Sequence, residues 1–168
     1  MDDRAVQELL DKQAIREVIY RYSRGLDRMD KEMAYSVWHP DGTALYHDIF
    51  EGTGHEFVDW VWEAHEAMES HSHQMTNILI EVAGDRAVSE TYAIVSLRRL
   101  PDENGHSAEL VSRSRYLDRW SKRDGRWAID HRIHVSDLQL EDGVSRPGDA
   151  ESRRDPADPS FDLFRSLR

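Results

Sequence analysis

The chain changes its hydrophobic period partway along, and this change restricts its fold more than any other feature. Apolar side chains in residues 4–24 recur at intervals of three and four, the spacing of one face of an amphipathic helix. The positions are Val6, Leu9, Leu10, Ile15, Val18, Ile19 and Tyr22. From Met75 onwards, runs rich in Val, Ile, Thr and aromatic residues alternate with turn sequences, which is typical of strands. Helices followed by an antiparallel meander predict an α+β domain.

Turn sequences divide the rest of the chain. The HPDG sequence at 39–42 ends a predicted short helix over 31–38, and the Gly-Thr-Gly turn at 52–54 precedes a predicted helix over 55–70. A strand or strand pair is predicted over 43–50. The later strands are expected over 75–82, 87–100, 110–120 and 127–140. We therefore expect a single domain over 1–140, followed by a polar tail over 141–168 that is flexible or clasps a neighbouring surface.

Composition excludes several functional classes. The 168 residues fit one domain, and the net charge of −11 disfavours nucleic acid as a partner, because phosphate binding needs a basic face. Cysteine is absent, so neither a disulfide framework nor a thiolate metal site can form. The acidic N-terminal sequence MDDRAVQELLDKQ is unlike a signal peptide, and no apolar run is long enough to cross a bilayer. We expect a cytoplasmic protein with no membrane association.

Four stretches follow one another along the chain: AIREVIYRYSRGLDRMD at 14–30, VWHPDGTALY at 37–46, HQMTNILIEVAGDRAVSETY at 73–92 and RYLDRWSKRDGRWAIDHRIHVSD at 115–137. In this order they resemble the SnoaL-like branch of the nuclear transport factor 2-like superfamily. The resemblance implies a cone-shaped fold, in which three N-terminal helices pack on a strongly curved, mostly antiparallel sheet around an internal pocket. It does not imply one reaction, since the same fold carries dehydratases, dehydrochlorinases, isomerases, cyclases and non-catalytic members.

The resemblance also implies catalytic residues. Where the dehydrochlorinase and dehydratases of the family pair an Asp with a general-base His, this sequence has Asp27 and His73. A Tyr of the bile-acid dehydratase is matched by Tyr22, and a basic residue of the dehydrochlorinase by Arg132. The chemistry is consistent, because a neutral His is the natural base near pH 7 and a carboxylate orients it. A Tyr hydroxyl and an Arg can stabilise developing negative charge.

Each of these residues also has a purely structural interpretation. Asp27 could be a turn residue, Tyr22 could be core, and Arg132 could form a strand ion pair with Asp130 or Asp118. His73 could belong to an exposed histidine cluster with His65 and His71.

A metal site built from His71, His73 and either His131 or His134 is a further alternative, but we predict no metal and no cofactor. The candidate substrate-binding residues are mostly aromatic, which favours a small ring-containing, apolar substrate. The prediction consists of Trp38, Tyr46, Trp60, Met75, Tyr92, Arg115 and His134. Phe50, Phe57, Trp62 and Tyr116 are additional candidates, some of which must be core.

The resulting hypothesis is a cofactor-independent lyase that eliminates water or formaldehyde from an aromatic, polyketide or steroid-like small molecule. An isomerase or cyclase could use the same His–Asp pair. A third hypothesis is a non-catalytic ligand-binding or assembly subunit, for which Asp27 and His73 would lie far apart or face solvent. The resemblance also implies a homo-oligomer, either a dimer or a trimer.

Overall fold

The computed structural model describes residues 2–141, 144–147 and 156–167. Three N-terminal helices precede most of the sheet, as expected for an α+β chain of this type. In chain order the elements are α1 (Asp3–Asp27), α2 (Lys31–Ser36), β1 (Trp38–Tyr46), β2 (Phe50–Thr53), α3 (Gly54–Glu66), β3 (Met68–Ala83), β4 (Arg86–Arg99), β5 (Glu109–Arg123), β6 (Arg126–Glu141), β7 (Val144–Pro147) and α4 (Pro159–Arg165).

Local capping chemistry sets where the helices begin. The side chain of Asp2 accepts a hydrogen bond from the backbone N–H of Arg4, which starts α1. Thr53 and Glu56 form a capping box at the start of α3, each side chain binding the other residue's backbone N–H. These caps satisfy N–H groups that have no partner inside the helix.

The strands form one curved, mostly antiparallel sheet in the order β2-β1-β6-β5-β4-β3, and β7 pairs with β6. The β1–β6 pair is parallel, and the chain passes through β2, α3 and the three strands β3, β4 and β5 between these two strands. Helices α1 and α3 cover one face of the sheet and bury the main core there, and Ile15, Ile19, Phe57 and Val58 contribute from the helices. The expected cone-like fold is confirmed.

Extra residues interrupt the register of three strands, β1, β3 and β6, and those in β3 and β6 reverse which side chains face the helices. Arg113 pairs with Leu138, but Ser114 pairs with Ser136, so Asp137 is an extra residue of β6 in the register with β5, and Asp130 is a second one, between the Arg119–His131 and Trp120–Ile129 pairs. Strand β3 has similar irregularities between Met68 and Ser70 and between Thr76 and Leu79. Such bulges reverse the alternation of side chains beyond them.

Two expected element boundaries are wrong. Strand β1 begins at Trp38 and continues through HPDG, where the register with β6 shifts between Trp38 and Thr43. Trp38 pairs with Ile129 and Thr43 with His131, so the HPDG residues form a bulge inside the strand instead of ending an element before it. The helix predicted over 55–70 ends at Glu66, and β3 begins at Met68, so both His71 and His73 lie on a strand.

The C-terminal helix lies on the opposite face of the sheet from α1 and α3. Leu163 packs there against Val88, Leu117 and Val135. The side chain of Asp158 caps α4 and binds Arg115 on β5, with the Nη2–Oδ2 distance at 2.8 Å. The tail predicted over 141–168 also includes 142–143, 148–155 and 168, which lie outside the described residues. None of the helices described is both long and apolar enough to cross a membrane.

Gly54 should tolerate no side chain, because a Cβ atom there would lie 2.2 Å from Cδ2 of Trp38. We expect Gly54→Ala to lower the free energy of unfolding by about 3 kcal/mol through overpacking. Gly84 has a φ of +61° and open space around it, so Gly84→Ala should lose only about 1 kcal/mol through backbone strain. Urea unfolding of both variants checks this, and equal losses would contradict the Trp38 contact.

Candidate active site

A cavity of about 180 Å³ lies between α1, α3 and the helix-covered face of the sheet. Its wall is largely aromatic and aliphatic, with a small number of polar groups. The lining residues are Tyr22, Leu26, Tyr46, Ile49, Phe57, Trp60, Val61, Ala64, His65, Met68, His73, Val95, Leu97, Leu110, Ser112, Tyr116, His134 and Gln139. This composition is typical of a small-molecule site.

Asp27 and His73 are in direct contact at the edge of this cavity. The imidazole Nδ1 lies 2.7 Å from Oδ1 of Asp27, and the backbone N–H of His73 donates to both carboxylate oxygens at 3.1 and 3.0 Å. Asp27 is the last residue of α1, and His73 lies on β3, so the contact also joins the first helix to the sheet. His71 contributes a second link, since its Nε2 donates to the backbone oxygen of Leu26 at 2.7 Å.

The electrostatics of the contact define the tautomer of His73. Burial opposes ionisation of Asp27, but the hydrogen bonds from the side chain and backbone of His73 outweigh it, so the pKa of Asp27 is lowered. An ionised carboxylate only accepts hydrogen bonds, so Nδ1 of His73 carries the proton. Nε2 is then the unprotonated nitrogen and can act as a base towards a molecule in the cavity.

Aromatic rings form the floor of the cavity. The hydroxyls of Tyr22 and Tyr46 share a hydrogen bond of 3.0 Å. The Tyr46 ring stacks between Phe57 and His134, with centroid separations of 4.1 and 4.8 Å. Burial raises the pKa of Tyr46 and of Tyr116 well above the ordinary value, so both phenols stay protonated and can donate hydrogen bonds.

Arg132 lies beneath this floor and not on the cavity wall. Its guanidinium binds Asp118 through two hydrogen bonds of 2.7 and 2.8 Å, and the two residues are 1% and 0% exposed. The cation also lies 4.2 Å from the ring centre of Tyr22 and 4.1 Å from that of Tyr116. The predicted direct contact of Arg132 with substrate is therefore wrong, and the alternative ion pair with Asp118 is what the structure shows.

Three of the seven predicted binding residues, Tyr46, Trp60 and His134, lie on the cavity wall. Trp38 is buried against Gly54 as core, and Met75 packs against the same core without reaching the cavity. Tyr92 and Arg115 point to the opposite face of the sheet, where Tyr92 is 42% exposed and Arg115 binds Asp158.

The prediction of these last four residues is wrong because residue type does not specify depth or face. Aromatic and long apolar side chains serve cores as readily as binding sites. Along a strand, one step in register moves a side chain to the opposite face.

Sequence reasoning missed several lining residues. On α3 the wall is formed by Phe57, Trp60, Val61, Ala64 and His65, at intervals of three and four, so helical periodicity could have included Ala64 and His65. Met68 continues the same intervals in the helix predicted over 55–70, so this periodicity could have included it as well, although the structure places it on β3. Gln139 could not have been found from alternation, because it lies beyond a bulge that reverses the face of the later residues of β6.

Two histidines on the wall are neutral at pH 7. Burial, and next the charges of His71 and His73, lower the pKa of His65 to about 3. Burial, and next the positive charge of Arg132, lower the pKa of His134 to about 4. In the described part of the chain, no group of three or more His, Asp or Glu side chains is arranged to hold a metal ion.

The helices, the curved sheet and the aromatic cavity with its His–Asp pair define a pocket-bearing protein of the nuclear transport factor 2-like class. The sequence model of the SnoaL-like domain matches residues 7–133. This chain belongs to the SnoaL-like domain family. No curated protein matches the sequence.

Solved structures show the same fold. A protein from Novosphingobium aromaticivorans, proposed to be a scytalone dehydratase, superimposes with a TM-score of 0.73 at 21% identity, covering 88% of this chain and 97% of that one. A hexachlorocyclohexane dehydrochlorinase from Novosphingobium barchaimii gives 0.71 at 17% identity, covering 83% and 96%. A Mycobacterium tuberculosis protein of unknown function gives 0.67 at 20% identity, covering 97% and 91%. At these identities the likeness extends to the fold alone.

The two neutral histidines should make the protein sensitive to mild acid. Their folded pKa values, about 3 for His65 and about 4 for His134, lie below the ordinary 6.5, so below pH 6.5 the unfolded chain binds protons that the folded chain does not. The free energy of unfolding should therefore decrease as the pH is lowered, and each histidine should account for a decrease of about 1.4 kcal/mol per pH unit between pH 6 and 5. Urea unfolding across this range gives the slope.

Single variants separate the two contributions to this slope. His65→Phe and His134→Phe should each remove about one histidine's share. His106→Ala is the matched control, because the side chain of His106 is 85% exposed. If His134→Phe changes the slope of the free energy of unfolding against pH no more than His106→Ala does, the buried neutral state of His134 is contradicted.

The Asp118–Arg132 pair should be costly to break. Asp118→Ala leaves a guanidinium buried without its counter-ion, and we expect a loss of about 3–5 kcal/mol in the free energy of unfolding at pH 7. Asp41→Ala removes one of the two carboxylate partners of Arg123, at a site where the Asp41 side chain is 70% exposed, and it should cost less than about 1 kcal/mol. Similar losses in the two variants would contradict the buried pair.

Proposed function

We propose that this protein is a cofactor-independent lyase, in which His73 removes a proton from a small ring-containing substrate and the leaving group departs as water or formaldehyde. The observation that carries the proposal is the contact between Asp27 and His73 at the wall of an aromatic cavity. Asp27 holds Nδ1–H and directs Nε2 towards the bound molecule. General bases positioned in this way typically contribute about 10²–10⁴ to the rate.

For loss of water, Nε2 of His73 takes the proton from a carbon next to the one bearing the hydroxyl. The C–H electron pair forms the double bond while the C–O bond breaks. The departing hydroxide takes a proton from the imidazolium, which returns His73 to its starting state. Tyr22 lies beside His73, with ring centroids 6.5 Å apart, and its hydroxyl is placed to stabilise negative charge on the substrate.

For loss of formaldehyde, His73 instead takes the proton from a hydroxymethyl group. The C–C bond to that group breaks, its carbon and oxygen leave as formaldehyde, and the electron pair remains on the substrate carbon that carried the hydroxymethyl group. That carbon is then protonated by the imidazolium. Both reactions use one base, one orienting carboxylate and nearby hydroxyl donors.

The size of the cavity favours a single ring. Its volume of about 180 Å³ slightly exceeds the roughly 150 Å³ of an apolar cavity that holds benzene. A steroid-like substrate would extend well outside the walls. Among the substrate classes expected from the sequence, we therefore favour aromatic and other one-ring compounds.

The role of Arg132 changes in this proposal. Its cation touches the Tyr22 and Tyr116 rings from below and binds Asp118, so it acts as a positioning residue for the tyrosines. The names of two structural neighbours, a dehydratase and a dehydrochlorinase, refer to eliminations, which supports the reaction class.

An isomerase or cyclase is the second candidate, because a proton returned to a different carbon of the same substrate needs the same pair. The non-catalytic alternative is less favoured. That hypothesis expects Asp27 and His73 apart or in solvent, whereas their side chains are in contact and only 16% and 5% exposed. A homo-oligomer and a cytoplasmic location remain predictions.

To test the proposal, the wild type, His73→Ala and Asp27→Asn are incubated with one-ring β-hydroxy carbonyl and hydroxymethyl aromatic compounds, without added metal or cofactor. Mass spectrometry should show loss of water or formaldehyde. We expect both variants to be slower by at least about 100-fold, because one lacks the base and the other its orienting carboxylate. A product of unchanged mass would support the isomerase or cyclase.

The matched control is His131→Ala. His131 lies on β6 but faces away from the cavity, with Nδ1 2.7 Å from the hydroxyl oxygen of Thr43. The His131→Ala variant should retain the wild-type rate of turnover. Turnover that survives both His73→Ala and Asp27→Asn would overturn the proposed mechanism.

A further inference from the structure

His65 and His134 each have one ring nitrogen that is enclosed and another that is accessible. Nδ1 of each is buried and has no hydrogen-bond partner among the described residues. Nε2 of each also has no hydrogen-bond partner in the described part of the chain, yet it is not among the buried atoms. Both residues line the cavity while being only 5% and 8% exposed overall. Their Nε2 atoms therefore open towards the cavity.

This arrangement assigns the proton of each neutral ring. A neutral imidazole has one N–H donor and one bare acceptor nitrogen. A buried N–H without an acceptor is rarer and more costly than a buried acceptor without a donor. The bare nitrogen is thus the enclosed Nδ1, and the proton lies on Nε2. His65 and His134 then present two neutral N–H donors to the cavity, whereas His73 presents a bare nitrogen.

The two donors lie at opposite ends of a series of ring contacts. His65 is 5.8 Å from His73, and His73 is 6.5 Å from Tyr22 between ring centroids. Tyr22 is 5.7 Å from Tyr116, which is again 5.7 Å from His134. A ring bound over Tyr22 would therefore meet one N–H donor on the His73 side and the other on the Tyr116 side.

The lack of charged side chains on the cavity wall restricts the charge of the ligand. Among the described residues, the lining includes no Lys, Arg, Asp or Glu. The cation of Arg132 is bound to Asp118 below the tyrosine rings, and Asp27 is bound to His73. A carboxylate or ammonium group on the ligand would lose its hydration without meeting an opposite free charge, which is strongly unfavourable.

We infer that the cavity selects an uncharged single-ring molecule with acceptor oxygens on two sides, one held by Nε2–H of His65 and the other by Nε2–H of His134. This inference names the substrate class of the same site and rests on the proposed function. A site built around buried hydrogen-bonding groups rejects analogues that lack the matching group, because the buried group is then left unpaired. The cavity should therefore distinguish an oxygenated ring from a hydrocarbon of the same shape.

A pair of isosteric probes tests the selection without turnover. The probes are 1,4-dimethoxybenzene, which has an acceptor oxygen at each end, and 1,4-diethylbenzene, which has none. Ligand-observed NMR gives the two dissociation constants and their ratio in the wild type, His65→Phe and His134→Phe. Because diethylbenzene is more hydrophobic, the informative quantity is the change in the ratio between proteins. Each Phe variant should shift it about tenfold towards diethylbenzene, the loss of one hydrogen bond.

Matched variants show whether the donor or the ring is responsible. His65→Gln and His134→Gln retain an N–H near the position of Nε2 and should keep the wild-type ratio. The charged probe 4-methoxybenzoate should bind at least about tenfold more weakly than dimethoxybenzene. Equal ratios in the wild type and both Phe variants would overturn the inference.

The tautomers can be read directly in the unsubstituted protein. Long-range ¹H–¹⁵N NMR should show the proton on Nε2 of His65 and His134 and on Nδ1 of His73. A proton on Nδ1 of His65 or His134 would overturn the inference even if a Phe variant fails to fold.

Asp27→Asn separates this inference from the proposed reaction. It should retain the wild-type probe ratio while losing turnover. If the wild-type cavity selects the oxygenated probe but shows no lyase activity, the proposed reaction is refuted and the inferred ligand class is retained. If the wild type shows lyase activity but no probe selectivity, the inferred ligand class is refuted and the proposed reaction is retained.

Discussion

The cavity depends on one buried cation. Arg132 on β6 binds Asp118 on β5 and touches the faces of Tyr22 and Tyr116, so a single guanidinium joins α1 to the centre of the sheet. Tyr22 in turn positions Tyr46 through its hydroxyl, and Tyr46 stacks between Phe57 of α3 and His134 of β6. A guanidinium is suited to this position, because its plane can stack on rings while its edge binds a carboxylate. The floor of the cavity and the packing of both helices thus follow from this residue.

Most of the architecture could be predicted from the sequence, because helical and strand periodicities and the resemblance to a known family agree. The contact between Asp27 and His73 followed from that resemblance, and local spacing alone could not have shown it, since the two residues belong to different elements. The face of individual strand residues was less predictable. Arg115 and Tyr92 look like binding residues by type, yet Arg115 anchors the segment before α4 on the opposite face. What attracts it there is Asp158, whose position no periodicity reveals.

Bulges account for the lining residues that alternation could not find. Arg132 and His134 share a face, as simple alternation predicts, but the extra residue Asp137 shifts the next part of β6 so that Gln139 also faces the cavity. At the start of β3, the irregularity near Glu69 has the same consequence for Met68. A long strand in a curved sheet needs such interruptions to bend, and the bend is what closes the cavity. The feature that makes the pocket possible therefore also hides part of its wall from sequence reasoning.

Three histidines line one cavity, and their partners alone distinguish their roles. His73 has a carboxylate on Nδ1, which leaves Nε2 bare and stabilises the imidazolium that forms when a proton is taken up. His65 and His134 have no such partner among the described residues, and burial keeps both neutral. The same side chain can thus serve once as a base and twice as a donor without any difference in covalent structure. In the proposed function, burial keeps His65 and His134 neutral, and the Asp27 carboxylate leaves Nε2 of His73 as the base.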